Sequence, residues 1–160
     1  MDGPGLLKLL HVALAMALVS GIVGRWILLA AAARAETMDR TDALLETSDP
    51  FEMTVRISSM LVVVAGLVTA WAQGYAWLGL TTGWMLGALI LSFGIAALVP
   101  TVFLPRGRQF AVALEDARSA GQITPELRAA FADPTVRAAH VAELAALAVI
   151  VALMVLKPFA

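Results

Sequence analysis

The sequence predicts an all-α fold: a four-helix transmembrane bundle running up-down-up-down, with a short amphipathic helical connection between helices 3 and 4. Three observations predict it. Apolar residues make up 61 % of the chain and charged residues 14 %, against about 45–50 % and about 25 % in soluble domains. A chain of 160 residues with so few charges cannot cover a water-soluble surface, so the surplus apolar surface faces lipid. The 49 residues between Arg56 and Arg106 carry no charged side chain. As helix they would extend about 74 Å, so two crossings of a core about 30 Å thick share them. One apolar stretch before this run and one after it complete the four, in a single domain spanning 1–160.

The first span covers about 6–33 and is apolar except for Lys8, His11 and Arg25. It exceeds the roughly 7–15-residue apolar region of a cleaved leader and is expected to stay in the membrane. Ala13, Ala17 and Gly21 form a four-spaced row of small residues, with Gly24 beside it, suited to close approach of another helix. A connection over 34–53 follows. Within it Ser48-Asp49-Pro50 predicts an Asp N-cap and a first-position Pro leading into the second span, about 54–73. Gly74 supplies a C-terminal cap, and Gly79 reopens the next helix, so a tight hairpin joins the second and third spans.

The third span covers about 79–104. Its row of Gly79, Gly83 and Gly87 is a seam for packing inside the bundle or a homodimer face. Pro100 kinks or ends this helix, and Pro105 marks its exit. In the connection 105–135, Phe110, Leu114 and Ala117 recur at helical spacing away from Arg108, Glu115 and Arg118. That pattern predicts an amphipathic helix on the membrane surface, ended by Gly121. Thr124-Pro125-Glu126 opens another short turn through Phe131. Ala132-Asp133-Pro134 repeats the cap before the fourth span, about 136–157, apolar except for His140 and Glu143.

Lys and Arg set orientation. The first long connection, with Arg56, carries three arginines; the second, with Arg137, carries five. Both are therefore expected in the cytoplasm of a cell whose inner (plasma) membrane holds the chain, with both termini and the Gly74 turn on the non-cytoplasmic side. Trp71, Tyr75, Trp77 and Trp84 cluster at that outer turn as interfacial anchors.

Charge and motif content narrow the function. A net charge of −1 offers no footprint for nucleic acid, and zero cysteines exclude disulfides, thiolate metal sites and cysteine nucleophiles. Phosphate loop, catalytic triad, paired catalytic carboxylates and metal-spaced clusters are all absent from the sequence. What remains are ionisable groups at membrane depth, each of which needs a partner, a wet cavity or nearby headgroups. Arg25, His140 and Glu143 lie at similar distances from the inner end of their helices. With helices one and four adjacent in a sequential bundle, an Arg25–Glu143 pair with His140 beside it is expected, as a structural clamp or as a proton or substrate site, the alternative being an Arg25 that snorkels to the headgroups. His11 lies about 21 Å of helical rise from Arg25, so it cannot share a cofactor with His140 within one chain. It is either a satisfied interfacial histidine or one axial ligand to a haem or metal. Met154, Met85 or a second chain's His11 would then be the other ligand.

The opening Leu6-Leu7-Lys8-Leu9-Leu10-His11 and the small-residue row through Gly24-Arg25 resemble the first helix of a group of small bacterial four-helix membrane proteins. That group includes the copper-resistance-D-like proteins and the haem-binding membrane protoporphyrinogen oxidases. The end, Leu153-Met154-Val155-Leu156-Lys157-Pro158, more closely resembles a bacterial predicted integral membrane protein family, a domain of unknown function allied to that group. The resemblance implies a four-helix bundle and, from the oxidases, a haem held through a first-helix histidine corresponding to His11. No enzymatic activity is carried over. The leading expectation is a polytopic inner-membrane protein, an accessory or small cofactor-holding subunit, with the lipid bilayer and a homodimer or larger assembly as partners. The alternatives are a haem-binding redox protein or tetrapyrrole oxidase using His11, and a small dimeric channel or transporter using Glu143.

Overall fold

A computed structural model describes residues 3–158. Every regular element in it is helical: α1 (Gly3–Ala32), α2 (Met38–Ala72), a 3₁₀ turn (Ala76–Gly79), α3 (Gly83–Leu98), a π turn (Val99–Phe103), α4 (Leu104–Ala120), α5 (Pro125–Phe131) and α6 (Pro134–Leu156). Four helical stretches are long and apolar enough to cross a membrane: α1, α2, α3 continued through α4, and α5 with α6. The chain is thus an all-α, multi-pass integral membrane protein.

The helices pack as two antiparallel pairs, α1 along α2 and α3 along α6. In the first pair Gly21 is buried against α2. A Cβ there would sit 2.9 Å from Val55 Cγ2 and 3.2 Å from the Phe51 carbonyl oxygen. The Phe51 ring fills the space beside Gly24, and Ala17 lines a shallow groove with Pro50 and Met53. Ala13, the first member of the row, is exposed. Backbones can approach this closely only where side chains are minimal, which is how helices associate without a hydrophobic drive between them.

In the second pair the glycine row is interrupted. Gly87 faces Leu153 of α6, Gly83 opens α3 and is exposed, and Gly79 lies outside the helix in the 3₁₀ turn at φ +82°, beneath Met85. The third helix therefore begins at Gly83, behind Thr82, and not at Gly79 as the sequence suggested. Gly74, at φ +77°, does close α2. The amides of Gly74 and Tyr75 donate to the Trp71 and Ala70 carbonyls, the paired bonds of a Schellman end.

The expected start of α2 at Asp49-Pro50 is corrected. The helix starts at Met38, capped by Thr37, and Pro50 lies inside it. A mid-helix proline costs roughly 3 kcal/mol, which tertiary packing of the first turns offsets. Met38 joins Ala117 and Leu127 in a small core with Phe110, Leu114, Ile123 and Phe131 around it, and Thr41 is fully buried. Asp42 ties this end to α4 through Arg118 at 2.9 Å; the hydrogen bond to Asp42 holds the Arg118 guanidinium above its usual pKa. So the apolar face of α4, expected on the membrane surface, is covered by protein.

At Pro100 α3 gives way to a π turn, as the sequence suggested, and the helical path continues past Pro105. The amide of Leu104 bonds back five residues to Val99, and the missing N–H of Pro105 falls where the helical register changes. The π turn thereby carries α3 directly into α4. At the start of α6 the expected cap is present, with Asp133 accepting from the amides of Thr135 and Val136. Desolvation pushes the Asp133 carboxyl upward, but these bonds and Arg106, 3.2 Å away, hold it below its usual pKa.

Trp84 is 6 % exposed and anchors the N-terminal end of α3. Its ring meets the Tyr75 edge at 6.2 Å, and Lys157 lies over it at 5.5 Å. Its indole N–H is sealed without an acceptor. Leaving such a donor unpaired costs about 1–3 kcal/mol. Trp84→Phe keeps an aromatic face and removes the donor while leaving a small cavity, so the two effects oppose and the variant is expected to unfold thermally in detergent close to the wild-type temperature.

Candidate functional site

Two places hold ionisable groups at membrane depth. The first is built by α1, the π turn and α6. His140 Nδ1 and Glu143 Oε2 lie 3.2 Å apart, one helical turn apart on α6, with His140 8 % and Glu143 4 % exposed. The Phe103 ring, presented by the π turn, stacks on the His140 imidazole at 4.8 Å between centroids. The Arg25 guanidinium lies over the same Phe103 ring, 5.9 Å from its centroid. The structure thus brings Arg25, His140 and Glu143 to one end of the bundle, linked by an aromatic ring.

The expected Arg25–Glu143 ion pair is not formed. Among the described residues Glu143 is engaged by His140, and Arg25 has only its contact with Phe103. The reason lies in the packing: α1 lies along α2 and α6 along α3, so helices one and four meet through Phe103 instead of along a shared seam. Arg25 Nε is buried with no hydrogen-bond partner. Phe103 was invisible to pattern reading because Pro100 and Pro105 signal a helix end. The signal that could have found it is the spacing of those two prolines, which one widened turn accommodates.

The second place is His11, on the opposite half of α1. Its Nδ1 lies 2.9 Å from the Val62 carbonyl oxygen of α2. A carbonyl only accepts, so Nδ1–H donates, and in the neutral ring Nε2 carries the lone pair. Gly66 makes room for this: a Cβ there would lie 2.9 Å from His11 Cε1. Among the described residues Nε2 has no partner, and it is not sealed. A backbone carbonyl holding one ring nitrogen while the other is free is how ligating histidines are fixed in tautomer and orientation. Val62 and Gly66 went unnoticed in the sequence. A lone glycine inside the apolar run Val62–Val68 is the signal for a close approach.

The candidate second ligands are not brought to His11. Met85 sulfur lies against Gly79, and α6, which carries Met154, packs along α3 and not α1. The site as the chain builds it is a single imidazole nitrogen in the groove between α1 and α2. It could hold one axial position of a planar metal cofactor, the other being open or supplied from outside.

No curated protein and no solved structure matches the chain. A family model does, over residues 5–158. The chain belongs to the family described as predicted integral membrane protein (DUF2269).

Proposed function

We propose that this protein is a small cofactor-holding subunit of the inner membrane, and that His11 is an axial ligand to a haem. The single observation that carries the reading is the His11 geometry: Nδ1–H fixed on the Val62 carbonyl at 2.9 Å, Nε2 unpartnered, and the ring seated over Gly66. The likeness of the first helix to that of haem-binding membrane oxidases points the same way. When bound, the haem would supply one-electron chemistry. The chain's own part is to fix the imidazole tautomer and to place Nε2 beside lipid, where acyl chains exclude water.

We place both termini and the Gly74 turn on the non-cytoplasmic side, which puts His11 in the outer leaflet. Support comes from the arginines: three in the first long connection and five in the second, against one lysine near each terminus.

The test is the absorption spectrum of detergent-purified protein after haem-supplemented expression. A Soret band is expected in the wild type and lost in His11→Ala. In Gly66→Val, which crowds the imidazole, the band is expected to weaken about tenfold. Colourless wild-type protein, or a band that survives His11→Ala unchanged, overturns the reading.

A further inference from the structure

We propose that Arg25 is a binding site for a phosphate oxyanion at membrane depth, carried by a phospholipid headgroup or by a soluble phosphate. It is a separate site from His11 and does not depend on the haem. Arg25 is seven residues from the end of α1, about 10 Å along the helix, in a stretch otherwise apolar. A guanidinium is always charged and carries five N–H donors. The described residues give Arg25 no hydrogen bond and no ion pair, only the Phe103 face at 5.9 Å. The ring face supplies no hydrogen-bond acceptor and no countercharge, and a guanidinium held along a lipid-facing helix calls for both or for contact with the headgroups.

None of the carboxylates on the packed helices pairs with it: on α2 Glu52 pairs with Arg56 and Asp42 with Arg118, Glu46 and Asp49 form no ion pair with it, and on α6 Glu143 faces His140. Nε is sealed, while the terminal nitrogens are not among the buried unpartnered atoms and so reach the surface. A guanidinium open at its tip and closed behind is shaped for end-on, two-point contact with an oxyanion, the geometry in which Arg binds phosphate. The neighbouring surface of α1 favours the lipid source. Val23, Trp26 and Ile27 are exposed around Arg25 and would lie along acyl chains, with Trp26 at headgroup level.

The test uses full-length protein in maltoside micelles, which contain no phosphate. An arginine-specific dicarbonyl reagent is applied, and modification of Arg25 and Arg34 is followed by peptide mass spectrometry, with phosphatidylglycerol, with inorganic phosphate, or with neither. Phosphatidylglycerol is expected to slow modification of Arg25 about tenfold and that of Arg34 less than about twofold. Protection by inorganic phosphate alone assigns the site to a soluble ligand; protection by neither overturns the proposal. Native mass spectrometry gives the second measurement. Wild type and Arg34→Gln are expected to retain one phosphatidylglycerol, and Arg25→Gln to retain about tenfold less. Equal retention by Arg25→Gln overturns the lipid site. Should that variant not fold, the labelling of wild-type protein decides.

Discussion

Gly21→Leu is expected to destabilise the protein by about 3 kcal/mol or more. At this position α1 rests on both side chain and backbone of α2: Val55 Cγ2 lies 2.9 Å from where a Cβ would stand, with the Phe51 carbonyl oxygen at 3.2 Å and the Val55 amide at 3.4 Å behind it. A leucine cannot be accommodated by a rotamer change across the seam, so the helices must separate along their length. Overpacking costs about 1–3 kcal/mol where side chains can shift, and more is expected where the obstacle is main chain. Gly94→Leu is the control. Gly94 sits in α3 with nothing within 4 Å of its added Cβ, and its variant should stay within about 0.5 kcal/mol of wild type. Unfolding in detergent or by steric trapping in bicelles checks both. Equal stability of the two variants would show that the α1–α2 seam is not held by backbone proximity.

The second large effect concerns the buried pair on α6. His140→Leu should cost about 3 kcal/mol, because it leaves the Glu143 carboxyl, 4 % exposed, without its partner 3.2 Å away in a site lined by Phe103. Glu143→Leu should cost less, about 1–2 kcal/mol, since an unpaired neutral imidazole is cheaper to bury than an unpaired carboxyl. The double variant should recover most of the loss, giving a coupling energy of about 3 kcal/mol in the cycle. Additive losses would mean that the two side chains do not support each other in the membrane. If the pair is only a clamp, the double variant also keeps any activity of the wild type; if it moves protons or binds a substrate, stability returns without activity.

Much of this architecture was legible in the sequence, for a physical reason. The cost of charge in hydrocarbon is large enough to write itself into the chain as charge-free runs, so the four spans and their polar exceptions stand out. Helical rise alone put Arg25, His140 and Glu143 at one level and His11 at another. Legibility failed where local signals compete with tertiary packing. Asp49-Pro50 is a sound helix start, but Met38 and Thr41 are buried against α4 and α5, and the helix is pulled twelve residues further back through its own proline. Pro100 and Pro105 read as a terminus because the only trace of the π turn is their spacing. Phe103, Val62 and Gly66 were missed because each acquires its role from a partner on another helix: a lone glycine signals a close approach, but only the pairing register reveals which residues meet.

The uneven packing of the helices carries a consequence for biogenesis. The stretch from Gly3 to Tyr75 holds both members of its seam, so it can close while the rest of the polypeptide is still being synthesised. The later half must wait for α6, since Gly87 and Phe103 find their neighbours only at Leu153 and His140. Across the halves, Met38 finds Ala117 and Leu127 on α4 and α5, and Arg25 finds Phe103, before α6 is needed, so the two halves can be tethered at one end while the last span is still to be inserted.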